Sequence, residues 1–190
     1  MPVQVTSNLR ECRMKRGQLV IKQPKFRQVI IGKSKSPGMP TFKSGILIST
    51  GGRIIFEGRA VISQGTVLRC DRNAKIIIGD NFYCNCNCFL RSTLIIKVGS
   101  NCTFAWGITI NTSDGHQVWH NGNKMSMQGP IFIGNHVWLL PECSLTKGVI
   151  IPDNCIVAQK AVVTKKFEKP NCIIGGIPAK VITENINWDV

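Results

Sequence analysis

The sequence predicts an all-β fold: a left-handed parallel β-helix wound from six-residue units, with a long inserted loop and a short C-terminal extension. Three observations carry this. From Ile133 onward an aliphatic residue leads every sixth position. The fifth place of the same units is small or apolar. The places between them hold Gly-Asn, Gly-Asp or Pro-Asp, the chemistry of tight turns. An α-helix does not fit, because a period of ~3.6 residues turns positions i and i+6 onto different faces. Strict two-residue alternation fails as well. A triangular coil fits: each side is a short strand, each corner a turn, and the lead residues stack inside. Each coil bonds the coils above and below, so only a stack is stable.

Residues 1–50 are read as a basic segment leading into the coil. Up to Lys43 they carry Arg10, Arg13, Lys15, Arg16, Lys22, Lys25, Arg27, Lys33, Lys35 and Lys43 against Glu11 alone. A solvated basic face explains this run as well as an acidic partner does. Ser34–Pro40 (SKSPGMP) reads as a loop. The coil follows over residues 51–168. Its lead residues are Phe56, Ile62 and Leu68; then Ile78, Cys84 and Leu90; then Val98, Phe104 and Ile110; then Ile133, Leu139, Leu145, Ile151, Val157 and Val163. The phase slips between these blocks mark loops. The longest is 111–130, polar and rich in Gly and Asn. A long insertion in a rigid solenoid is more often functional than accidental. Residues 169–190 form the C-terminal extension, and ENINWDV ends it as a short helix or an extended cap.

The chain has 190 residues, 43% hydrophobic and 18% charged, which suits one domain with a real core rather than a disordered chain. Its net charge of +14 favours an acidic partner. Nucleic acid is not expected, because aromatic residues make up 7% and no stacking or helix-turn-helix motif is present. No apolar run approaches the ~18 residues a membrane-spanning helix needs. Arg10, Arg13 and Lys15 interrupt any apolar leader. The expected location is cytoplasmic, with the inner membrane face as an alternative. Nine cysteines do not make a paired framework. Cys88, Cys102, Cys143 and Cys155 fall in the small fifth place and Cys84 in a lead place, where a thiol serves as a small hydrophobe. The C-x-C-x-C run at Cys84, Cys86 and Cys88 is not a usual zinc spacing and has no histidine near it, so no metal is expected.

The segment GNHVWLLPECSLTKGVIIPDNCIVAQKAVVTK, followed by GGIPAKVI, resembles the hexapeptide-repeat acetyltransferases. The preceding SDGH and the terminal NINWD look more narrowly like bacterial O-acetyltransferases of capsular polysaccharide and lipopolysaccharide, including those acting on polysialic acid. The resemblance implies a homotrimer. It implies acetyl-coenzyme A as acetyl donor in a groove between neighbouring coils, with each active site shared by two subunits. It also implies direct attack of a sugar hydroxyl on the thioester, with a histidine as general base.

On that resemblance His116 is the catalytic base. Asp114 either orients its imidazole or forms a local Asx turn, and Trp119 and His120 stand on the substrate side. His136 is expected at the surface. Trp138 would line the pantetheine and acetyl end of the cofactor groove, unless it packs a trimer contact. Pro141 and Gln159 match backbone contacts to the cofactor, Thr164 and Lys165 a Thr-Lys pair near it, and Lys180 a cation for its phosphates. The chain departs from the family pattern at two places. Leu140 stands where relatives have Gly, and Ala158-Gln159-Lys160-Ala161 stands for Gly-Ala-Gly-Ser. Lys160 would then add a phosphate contact. The expected acceptor is an acidic glycan or sugar. The alternatives are an N-acetyltransferase acting on a nucleotide-linked amino sugar or an antibiotic, and a β-helix scaffold without activity.

Overall fold

The computed structural model describes residues 1–5, 9–32 and 43–189. The expected loop Ser34–Pro40 lies outside them. Among the described residues there is no helix. The chain winds a left-handed parallel β-helix whose three faces are sheets of nine, seven and six strands. Each coil contributes one strand to each face. One coil, for example, runs through Phe82–Cys84 on the first face, Phe89–Ser92 on the second and Ile95–Val98 on the third. Each of these strands pairs in parallel with the strands one coil above and one below.

The strand registers stack the lead residues into three columns. Ile31, Ile62, Cys84, Phe104, Leu139, Val157 and Ile174 align on the first face. Ile46, Leu68, Leu90, Ile110, Leu145 and Val163 align on the second. Phe56, Ile78, Val98, Ile133 and Ile151 align on the third. All are buried and form one continuous core. Removing such side chains from water is the main stabilising term, about 1.5–3 kcal/mol for each large aliphatic.

The corners follow a second rule. The fourth place of each unit in the last coils has a left-handed backbone: His136 (φ 53°), Glu142 (60°), Gly148 (79°), Asn154 (57°) and Lys160 (59°). Asparagine and glycine tolerate this conformation, whereas other residues are strained there by roughly 1 kcal/mol. At the corner between the third and first faces, polar side chains bridge coil to coil. The amides of Asp80, Ser100 and Asn135 donate to Ser100 Oγ (3.1 Å), Asn135 Oδ1 (2.9 Å) and Asp153 Oδ1 (2.7 Å) in turn. Gly79, Gly99 and Gly134 stack at the same corner. A Cβ on Gly99 would lie 2.5 Å from the Gly134 carbonyl oxygen.

The phase slips have a common location. The intervals Leu68–Ile78, Leu90–Val98 and Ile110–Ile133 all cross the corner between the second and third faces. This corner, the second–third edge, therefore carries the irregular material of the coil. The parallel ladders also reach further toward the N-terminus than the periodicity does. Val3–Val5, Leu9–Arg13 and Leu19–Ile21 already form a coil, pairing with Val29–Ile31, Ser44–Ile48 and Arg53–Phe56. Toward the C-terminus, Cys172–Gly176 adds another rung to the first face before Ala179–Glu184 folds back antiparallel on it. Residues 185–189 are not helical, and Trp188 among them is buried.

Candidate active site

The 111–130 insertion is an ordered arm. Its two ends are joined where the Gly129 amide donates to Thr112 O (3.0 Å) and by a bridge between Ser113 and Gln128. Asp114 N donates to Met127 O (3.0 Å), and Met125 N to Val118 O (2.9 Å). Trp119 pairs with Lys124, and His120 with Asn123. The turn between them is Asn121-Gly122, both with positive φ, the residues that a two-residue type I′ hairpin requires. Gly129 lets the base of the arm sit close on the next coil, because a Cβ there would meet Gly148 N at 2.7 Å.

His116 lies on this arm, exposed and with no hydrogen-bond partner among the described residues. Asp114 makes no hydrogen bond to it. Its carboxylate is bound by Lys147 of the next coil, and Lys147 Nζ also donates to Ser126 O at 2.6 Å. The local turn is made instead by Ser113, whose Oγ accepts from the Gly115 amide at 3.1 Å. One lysine thus clamps both strands of the arm to the coil and holds the histidine segment in place. Trp119 and His120 stand exposed at the hairpin, with His120 Nε2 3.3 Å from Asn121 Nδ2.

The other candidate residues fall on three parts of the prism. Thr164 and Lys165 occupy the second–third edge one coil beyond Lys147, exposed and on the same edge as the His116 arm. Pro141, Gln159 and Lys160 lie at the corner between the first and second faces. There Lys160 N donates to Pro141 O (3.0 Å), and Lys160 Nζ approaches Glu142 at 3.6 Å. Trp138 lies on the first face, and Lys180 on the terminal hairpin of that face. Within a single chain the His116 arm therefore rises from the edge that carries Lys147 and Lys165, and Trp138 lies on another face.

Trp138 is half-buried, and its cover comes from the C-terminal tail. The Trp188 ring stacks on His136 (centroids 4.0 Å apart, planes 7° apart) and leans on Trp138 at 5.6 Å. His136 is thus half-buried rather than a free surface residue. It takes a corner position held by asparagine in neighbouring coils, and its Nδ1 lies 3.0 Å from Asn154 Oδ1. The Trp188 indole N–H is buried without a partner among the described residues.

The cysteines behave as core residues. Cys88 Sγ donates to Ala105 O (3.1 Å), and Cys102 Sγ to Gly134 O (3.2 Å). Burial pushes the thiols of Cys102 and Cys143 up to about 12 and that of Cys70 to about 11. Cys12 is the exposed thiol.

No protein-family model matches the chain. It is 36% identical to the galactoside O-acetyltransferase of Escherichia coli (strain K12) over 115 residues, which are 58% of this chain and 55% of that protein. It is 31% identical over 138 residues to a protein of Dictyostelium discoideum named a putative acetyltransferase, covering 72% of this chain and 67% of that one. The chain belongs to the hexapeptide-repeat acetyltransferases. Its fold superposes on the polysialic-acid-specific acetyltransferase NeuO with a TM-score of 0.63 at 18% identity, over 99% of this chain and 82% of that one.

Seen as a hexapeptide-repeat protein, its departures become interpretable. Lys160 stands at a left-handed corner, where the resemblance leads one to expect glycine. The turn is kept there, with Lys160 φ at 59°. Leu140 and Ala158 sit in the second place of their units, and Gly175 passes so close to Ala158 that a Cβ on it would approach 2.8 Å. Sequence reasoning missed Lys147 and Trp188. The signal for Lys147 was its place at the second–third edge, one coil after the insertion.

Proposed function

We propose that the chain is an acetyl-CoA-dependent O-acetyltransferase that modifies a hydroxyl of an acidic bacterial surface polysaccharide, with His116 as general base. The curated relatives matched first are covered over little more than half their length, so the whole reaction is our reading. One observation carries it: an exposed imidazole, without a partner among the described residues, held at the root of the long arm of an otherwise regular prism. Function lives in such a site rather than in the fold.

Acetyl-CoA would supply the acetyl group as a thioester. The donor set suits its phosphates, because Lys165 and Lys180 are exposed cations at the C-terminal end. His116 would take the acceptor hydroxyl's proton as that oxygen attacks the thioester carbon, and return it to the departing thiolate. Lys147, through Asp114, would position the imidazole segment. Trp138 offers an apolar wall, of which Trp188 already occupies one side.

His116 and Trp138 face different sides of one chain. We infer that a neighbouring copy completes the site, in a cyclic homotrimer. The reaction is placed in the cytoplasm or at the inner membrane face. Among the described residues no helix is long and apolar enough to cross a membrane.

The test is release of coenzyme A, followed by chromatography because Cys12 would react with a thiol reagent. Acceptors are sialic acid oligomers, amino-sugar nucleotides and simple antibiotics. Turnover with free amines and none with any glycan would replace the O-acetyl reading with an N-acetyl one. No coenzyme A release and no coenzyme A binding would leave a scaffold.

A further inference from the structure

A cleft with a volume of about 650 Å3 lies away from His116, on the N-terminal coils. Its walls include Arg13, Lys15, Gln18, Arg69 and Arg72, with Glu11 as the acidic member. Strand register links this cleft to the arm. Arg13 pairs with Leu47, Leu47 with Arg69, Arg69 with Arg91, and Arg91 with Asn111, one step per coil. Asn111 begins the arm that carries His116, and its Oδ1 accepts from Ser113 N at 3.3 Å. At ~4.8 Å per coil the column is about 19 Å long.

We propose that this column is a binding track for a linear polyanionic glycan, laid along the second–third edge from the first coil to the His116 arm. Among the described residues five cations border it, Arg13, Lys15, Arg69, Arg72 and Arg91, against the two carboxylates Glu11 and Asp71. Asp71 lies between Arg69 (2.8 Å) and Arg91 (3.1 Å) and orients both guanidiniums. Among the described residues each keeps N–H donors unpaired for a carboxylate or sulfate, and the planar fork suits such groups. Lys15 and Arg72 have no ion-pair partner among the described residues. Gln18, Ser49 and Thr50 add neutral hydrogen-bonding groups for hydroxyls, and the half-buried Leu47 offers an apolar contact. Among the described residues no aromatic ring lines the cleft, so they offer no stacking platform of a single-stranded nucleic-acid site.

The track deepens the acetyl-transfer reading by requiring an oligomer rather than one sugar, and it rests on that reading only for what happens at His116. Binding is therefore measured without acetyl-CoA, by fluorescence anisotropy of end-labelled polysialic acid on the full chain. The expected result is salt-sensitive binding that strengthens with glycan length up to the reach of the column. Lys15→Ala with Arg72→Ala weakens it at least tenfold, and Arg69→Ala with Arg91→Ala does the same, both with unchanged circular dichroism. If a double variant unfolds, the single Lys15→Ala and Arg72→Ala substitutions are read instead. Lys97→Ala, at an exposed lysine of the third face, binds as the unaltered chain does, whether or not acetyl transfer is found. The proposal is overturned if the glycan does not bind, if a disaccharide binds as tightly as a long chain, or if the arginine variants bind undiminished. It is overturned equally if a single-stranded oligonucleotide binds more tightly through the same arginines.

Discussion

His116 has no internal task in the chain: among the described residues nothing bonds to it, and it stands exposed. Its replacement by Ala is therefore expected to leave the thermal midpoint unchanged and to lower kcat/KM about 100- to 10,000-fold, the usual worth of a positioned general base. A wild-type rate in the variant would remove His116 from the mechanism. The cysteines behave in the opposite way, buried and chemically quiet. A thiol reagent should modify Cys12 quickly and leave the other eight unreacted until the chain unfolds. Their titration also sets an alkaline limit. An unfolded thiol ionises near 9.0, while Cys70 holds its proton to about 11 and Cys102 to about 12. Above pH 9 the unfolded chain loses protons that the folded chain keeps, so stability is whole below pH 9 and is lost as pH rises toward 12. The contribution of Cys70 is on the order of 2 kcal/mol. Urea midpoints compared at pH 8 and pH 10.5 should fall, and Cys70→Ala should flatten the difference.

The arm and the tail are the two elements that a repeat pattern does not announce. The arm was legible as an interruption, but its hairpin rests on Asn121-Gly122 and its anchoring on Lys147, which lies 33 residues from Asp114 in the chain. No periodicity reports a contact of that kind. An exposed ion pair of this sort adds little to global stability, under about 1 kcal/mol. Lys147→Ala should accordingly leave the thermal midpoint within a degree or two while lowering turnover, with kcat falling more than KM rises. Equal loss in the acetyl transfer of Lys147→Arg, which keeps the clamp's charge, would argue against positioning. In the tail, NINWD was readable as a motif, but its role as a cover for His136 and Trp138 depends on a chain reversal through the terminal hairpin. Trp188→Ala should red-shift the emission of Trp138 and raise its access to a quencher. An unchanged spectrum would mean that the tail does not lie there in solution.

At the scale of the whole molecule, the columns were open to reading because each lead residue has the same physical task in every coil. That logic fades at the N-terminal coil. Val3, Leu9, Leu19 and Ile21 are only partly buried, since an end coil has a neighbour on one side alone. The spacings Ile21–Ile31, Ile31–Ile46 and Ile46–Phe56 also exceed six residues, so composition spoke there of charge and not of coils. The columns predict a uniform cost of truncation. Ile110→Ala and Ile78→Ala should each lower unfolding free energy by about 2–5 kcal/mol. Gly99→Ala should be destabilising too, through backbone crowding against Gly134 rather than a lost contact. Sedimentation of the intact chain decides the oligomer, with a trimer expected.

The arm's two ends meet at the coil surface, where Gly129 N reaches Thr112 O at 3.0 Å. The edge that hosts it interrupts none of the three columns. The architecture thus separates a ruler from its attachment: the prism keeps its spacing whatever hangs from that seam. Cutting out residues 114–127 and closing the gap with a short turn should leave a chain that melts cooperatively and has lost only its chemistry. Arms of other lengths could be exchanged at the same seam, so that a new acceptor preference is reached by swapping one appendage and repacking nothing.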